Sequence, residues 1–190
     1  GLIQGVVGQF VNQDIAIDVF KTGRGRPWGE HHECCFCGTE RFFRPAYATH
    51  LLEEWIPALE GVEEKLRNGA KVADIGCGLG TSSILMAENF PNSIIHAYDF
   101  HAPSIEEARK RAESQGLKNV EFFVADAADV NNEGYDLACI FDAWHDMGDP
   151  VGVAKAIREK LTGDGTFMVV EPMALDGLQN NIENNPGAGM

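Results

Sequence analysis

The chain has 190 residues, enough for one domain with a proper core, and its 44% hydrophobic and 23% charged residues exclude a disordered protein. Fifteen basic against 29 acidic residues give a formal net charge of −14, which argues against nucleic acid as a partner and for a small-molecule substrate. No apolar run reaches the roughly 18 residues of a membrane span, and five cysteines, an odd number, suggest free thiols rather than a disulfide framework.

The chain starts Gly1-Leu2-Ile3-Gln4-Gly5, without a signal-peptide pattern and without Met. A cytoplasmic protein whose natural start is missing is therefore expected. Apolar spacing predicts one helix near Val6 to Phe20. Residues 21–44 are expected to be irregular, because Gly23, Gly25, Pro27, Gly29, Gly38 and Pro45 interrupt any regular element. Leu51, Leu52, Trp55, Leu59, Val62 and Leu66 recur at helical steps, and Pro57 must kink or split that helix.

From residue 71 strands and helices alternate. Strands are predicted at 71–75, 93–99, 119–124, 136–142 and 166–171. The helices between them lie near 81–90, from about Pro103 to Gly116, and from the capping pair Asp149-Pro150. Segment 136–142 is nearly all apolar, as a central parallel strand should be. Five strands with four right-handed crossovers make an α/β fold with a doubly wound, Rossmann-like parallel sheet.

In such sheets ligands bind at the carboxyl ends of the strands. The first strand runs into Asp74-Ile75-Gly76-Cys77-Gly78-Leu79-Gly80, and the second ends in Tyr98-Asp99. Glycines let the loop come close to a ligand, and an acid at the next strand end can accept from both ribose hydroxyls. This describes a pocket for a nucleoside with a small polar tail. A dinucleotide loop, G-x-G-x-x-G, would need a third glycine where Thr81 stands, which opposes a nicotinamide-dependent oxidoreductase.

The Asp74-x-Gly76-x-Gly78-x-Gly80 pattern with Asp99 resembles the class I S-adenosyl-L-methionine (SAM)-dependent methyltransferases over about residues 70–175. The resemblance implies SAM as cofactor, with S-adenosyl-L-homocysteine as product. It implies that the glycine loop holds the methionine portion, that Asp74 helps position its ammonium group, and that Asp99 takes the ribose. Phe100 would lie against adenine, the acid of Val124-Ala125-Asp126-Ala127 would accept from the adenine amino group, and Phe141 joins these contacts. A helix-capping role for Asp99 and a solvated loop role for Asp126 stay open beside these, and Asp129 is read as solvated.

The fourth strand leads into Phe141-Asp142-Ala143-Trp144-His145-Asp146. This segment resembles the His-Asp-Trp-x-Asp segment of plant-type small-molecule O-methyltransferases, whose histidine is the general base. Val169-Val170-Glu171-Pro172 matches their flanking glutamate. His145 and Glu171 are therefore the catalytic candidates, with a capping or packing histidine as the alternative. Metal-dependent methyltransferases of the catechol type also place an Asp where Asp142 lies. They need an Asp-Asn pair where this chain has Glu171-Pro172, so no metal is expected.

His31-His32-Glu33-Cys34-Cys35-Phe36-Cys37 lacks the second half of a zinc site and is read as a loop with free thiols. Trp28, Phe42, Phe43 and Tyr47 either cover the acceptor pocket or pack their segment onto the sheet. Overall the chain is most similar to bacterial methyltransferases in which a winged helix precedes the Rossmann-like domain. That similarity makes residues 1–50 an N-terminal helix and connector or lid, and 51–190 the SAM-binding domain. It implies a winged helix before Gly1, serving a homodimer, and a closing hairpin after Met190, so the sequence is read as incomplete at both ends. A SAM-binding regulatory module without catalysis is the remaining alternative.

Overall fold

The structure is a computed structural model that describes residues 1–186. Its centre is a five-stranded parallel sheet: β1 (Lys71–Ile75), β2 (Ile94–Asp99), β3 (Val120–Val124), β4 (Tyr135–Phe141) and β5 (Leu161–Val170), in spatial order β3-β2-β1-β4-β5. Every pairing is parallel, with Val72 beside Ile95 on one side and Leu137 on the other. The chain winds outward from β1 to β3, then returns to β4, so the order reverses between β1 and β4. A crevice opens there, at the strands' carboxyl ends.

The strand pattern has a period of two, and both faces are covered. Val72, Ile95, Leu137 and Cys139 point to one face, where they pack with Leu51, Ile56, Leu66 and Met86. Ala73, Ile75, Tyr98 and Ile140 point to the other, against Val153 and Ile157. Fully burying one such aliphatic side chain contributes about 1.5–3 kcal/mol.

Between the strands run α5 (Thr81–Asn89), α6 (Ala102–Ser114) and α7 (Pro150–Lys160). The Asp149 side chain accepts from the Gly152 amide at 2.9 Å, the cap its sequence announces. No helix among the described residues is long and apolar enough to cross a membrane.

The N-terminal region departs from expectation in two places. The single helix expected near Val6 to Phe20 is two, α1 (Leu2–Val11) and α2 (Gln13–Thr22), broken at Asn12. α1 is anchored by Gly8 against Cys35, whereas α2 buries no residue. The second correction concerns 21–44, expected to be irregular. Helix α3 (Glu33–Ala46) runs through Gly38 and Pro45, and the His31–Cys37 run forms its start rather than a loop. His32 caps it, its Nδ1 accepting from the Cys34 amide at 3.2 Å.

Gly38 is there because α1 lies on it. A Cβ at that position would stand 2.6 Å from the Gly5 amide nitrogen. Pro45 falls in the last turn of α3, and the rod continues as a π-helix, Tyr47–Trp55. The rod crosses residue 50 without a break and ends before Pro57. α4 (Val62–Asn68) then leads into β1, and the short α8 (Leu178–Asn184) follows β5.

Gly80, before α5, has φ +77, and a Cβ there would meet both Ala108 and Phe122 at 2.8 Å. Gly80→Ala is expected to destabilise the domain by about 1–3 kcal/mol, the usual cost of a strained backbone position. Urea unfolding measures it. An unchanged midpoint would mean that the loop relaxes freely.

Candidate active site

The crevice holds a cavity of about 940 Å³, walled by the carboxyl ends of the strands and by α1 and α3. Gly76, Gly78, Asp99, Phe100, Asp126, Ala127, Phe141 and His145 all line it. Asp74 and Gly80 do not. They stand behind the wall, where Asp74 supports the loop instead of facing the cavity.

Asp74 is 1% exposed, and its Oδ2 accepts from Ser82 at 2.6 Å and from Ser83 at 2.5 Å. Its Oδ1 has no partner. Burial pushes its carboxyl up to about 6, against the two hydroxyl bonds that favour the charged form. The serines open α5, so one carboxylate ties the strand end to the helix that follows the glycine loop. Ser82 and Ser83 carried no signal in the sequence beyond their place in a helix.

Asp99 organises the next layer. Its Oδ2 accepts from the Gly78 amide and its Oδ1 from the His101 amide, both at 2.8 Å. Burial raises its pKa, against those two backbone bonds. Four lone-pair sites with two donors leave capacity on the cavity side for two further donors. At Gly78, φ is +51 and nothing lies within 4 Å of where a Cβ would be, so this glycine leaves open cavity rather than avoiding a neighbour. Gly76 does the opposite: a Cβ there would stand 2.9 Å from that of Ala143, and its absence lets the β4 exit close over the loop.

Past β4, Asp142 is the one non-glycine residue with positive φ, +51, among the described residues. This kink turns the chain into a short 3₁₀ turn, Trp144–Asp146, which carries His145 to the cavity rim. Parallel pairing of β4 with β5 sets Glu171 beside it. Glu171 Oε1 accepts from the Ala143 and Trp144 amides at 3.1 and 2.7 Å, and Oε2 faces His145 Nδ1 at 2.5 Å. An ionised carboxylate only accepts, so the proton sits on Nδ1 and the lone pair on Nε2. The His145 pKa is raised, first by this hydrogen bond and then by the charges of Asp146, Glu171 and Asp142, with partial burial opposing. Asp142 is itself pushed up to about 6, chiefly by burial, with Glu171 and Asp146 adding repulsion and His145 opposing.

Asp142, His145 and Glu171 each bring a ligand atom within 4.8 Å of the others, close enough for a cation. Both Glu171 oxygens are already engaged, by two amides and the imidazole. Among the described residues the His31–Cys37 run forms no such group, and all five cysteines are free thiols.

α3 contributes residues that no motif marked. Glu40 lines the cavity and accepts from Thr81 Oγ1 at 2.8 Å, with Arg44 at 2.6 Å on the same carboxylate, so α3 is latched to the first residue of α5. Burial pushes its pKa up, but the bonds from Arg44 and Thr81 together with the charges of Arg44 and Arg111 leave it lowered. Trp28, Phe42, Phe43 and Tyr47 also line the cavity. Phe36, stacked on His101 with ring centroids 4.6 Å apart, roofs it near Phe100.

Comparison with known proteins agrees with this geometry. The profile of a methyltransferase domain family matches residues 66–189. A ubiquinone biosynthesis O-methyltransferase from Actinobacillus pleuropneumoniae is 28% identical over 117 residues, covering 57% of this chain and 49% of that protein. The chain thus spans about half the length or less of the curated relatives it matches. Among solved structures, the YcgJ protein of Bacillus subtilis superposes with a TM-score of 0.56 at 25% identity, over 65% of this chain and 50% of that one. An O-methyltransferase from a polyketide synthase multienzyme of Brevibacillus brevis, solved with S-adenosyl-L-homocysteine, gives 0.50 at 26% identity, over 54% of this chain and 35% of that one.

The residues present fit such a cofactor. Asp99 keeps unused acceptor capacity at the cavity, Gly78 leaves a cradle that a side chain would fill, and Phe100 adds an aromatic side chain to the same lining. With fold, loop and family profile in agreement, this chain belongs to the methyltransferase domain family and carries the class I, Rossmann-like fold.

Proposed function

We propose that the protein transfers the methyl group of SAM to a hydroxyl of a small molecule, with His145 as general base. The observation that carries this reading is the Glu171 carboxylate held on the imidazole of His145, a histidine at the rim of the cavity. When bound, SAM supplies an electrophilic methyl group on a sulfonium. The chain's own task is then to orient the acceptor and remove its proton. Nε2 of His145 takes the hydroxyl proton, and Glu171 holds the ring's tautomer and stabilises the imidazolium that forms. Gly76, Gly78, Asp99, Phe100, Asp126, Ala127 and Phe141 would hold the cofactor, while Asp74 and Gly80 would shape its loop from behind. The O-methyltransferases among the relatives support an oxygen acceptor.

The test is transfer of labelled methyl from SAM to matched phenols and anilines. Methylation of the phenols alone, insensitive to a chelator, is expected. Activity abolished by chelation and restored by magnesium would assign Asp142, His145 and Glu171 to a cation instead. SAM binding with no transfer to any acceptor would return the chain to a binding module.

A further inference from the structure

We propose that the acceptor is a largely apolar molecule carrying no anionic group, selected by an aromatic chamber with an acidic wall. This rests on the methyl-transfer reading of the same cavity and names its substrate class. The chamber's apolar side is a run of rings, Phe42, Phe43, Tyr47 and Phe141, with successive centroids 5.0, 6.4 and 5.5 Å apart. It leads from α3 to the end of β4, next to Asp142 and His145. Beside α3, α1 also lines the cavity through Gly5, whose missing Cβ would meet nothing within 4 Å, so the chamber is open there. A wall of this kind takes a flat or aliphatic body.

The charge on the lining is one-sided. Glu40, Asp99, Asp126, Asp142, Asp146 and Asp149 line the cavity, and none of its lining residues is Lys or Arg. Three arginines on the adjoining segments are committed elsewhere. Arg44 pairs with Glu40 at 2.6 Å, Arg111 reaches Glu40 and the Leu79 carbonyl at 3.5 Å, and Arg26 donates to the Glu30 carbonyl. Low-dielectric walls focus the field of the remaining carboxylates into the cavity. An acceptor bearing a carboxylate, sulfonate or phosphate finds no Lys or Arg in the lining and meets repulsion at Asp142 and Asp146, so specificity comes from rejection as well as fit. The same field favours the net positive charge of SAM.

Two dyes with one skeleton test this: N-phenyl-1-naphthylamine, which is uncharged, and 8-anilino-1-naphthalenesulfonate, which adds one sulfonate. Each is titrated fluorimetrically into the full chain saturated with S-adenosyl-L-homocysteine. Binding at the chamber is the part lost in Gly5→Trp, which fills the open side, with Val6→Trp as a second filling variant from the same helix. In that part the uncharged dye should bind more tightly by about tenfold or more, and Asp146→Lys should narrow the gap by a similar factor. Equal or tighter chamber binding of the sulfonate overturns the proposal, as does the absence of any dye binding sensitive to both filling variants. The readout involves no methyl transfer, so a selective chamber in a chain that methylates nothing would fail the catalytic reading alone.

Discussion

His145→Ala is expected to lower turnover by roughly 10²–10⁴, the usual contribution of a positioned acid or base. Cofactor affinity should barely move, because Asp99 and the glycine loop lie on other strand ends. The pH profile separates this role from a merely structural one. The base form must be neutral, and the fold raises the pKa of His145 above its ordinary 6.5, mainly through the Glu171 hydrogen bond. Activity should therefore fall on the acid side with a limb lying above pH 6.5. Glu171→Gln removes the largest raising cause, so the limb should move to lower pH, with a smaller loss of turnover at its plateau than alanine at 145 produces. The stability linkage has the matching sign. Because the folded pKa is raised, the pair's stabilisation is complete below the unfolded pKa and is lost as pH rises through the folded value. A turnover profile unmoved by Glu171→Gln would remove Glu171 from the proton path.

Asp99→Ala is expected to weaken SAM binding by about 1.5–3 kcal/mol, the typical worth of hydrogen bonds to a charged group. That is roughly a tenfold to 150-fold rise in Kd by calorimetry. Two effects add here. The variant removes the acceptor offered to the ribose, and it releases the Gly78 and His101 amides that the carboxylate now holds at 2.8 Å. Asp99→Asn keeps one carbonyl acceptor and should fall between. Unchanged affinity in both variants would move the ribose contact elsewhere.

Both experiments rest on features with different visibility in the amino-acid sequence. The five strands were legible because parallel strands buried on both faces read as short apolar runs, and Tyr135–Phe141 is one. The α5, α6 and α7 boundaries were legible because caps and stops are local: Asp149 caps α7 from one residue away, and Gly116 follows α6 at φ +74. The glycine loop belongs to the same class, since its backbone angles are set by residues that touch each other along the chain. His145 and Glu171 could be named from family resemblance alone, as nothing local links positions 26 residues apart.

Helix α3 was misread because its breakers are judged by propensity, a weak prior that tertiary contact overrides. Gly38 is tolerated in a helix because α1 needs its backbone there, and Pro45 because it falls where the rod changes to π spacing. The Glu40–Thr81 latch spans 41 residues, and the Asp74–Ser82–Ser83 knot depends on a strand and a helix folding back on each other. Local chemistry along the chain thus determined the sheet, its crossovers and the cofactor loop, because those depend on periodicity and backbone freedom over a few residues. Only the tertiary structure decided which side chains share the cavity, that its lining holds acids and no Lys or Arg, and that Glu171 meets Nδ1 of His145. Those are properties of distance in space, and spacing along the chain carries no record of them.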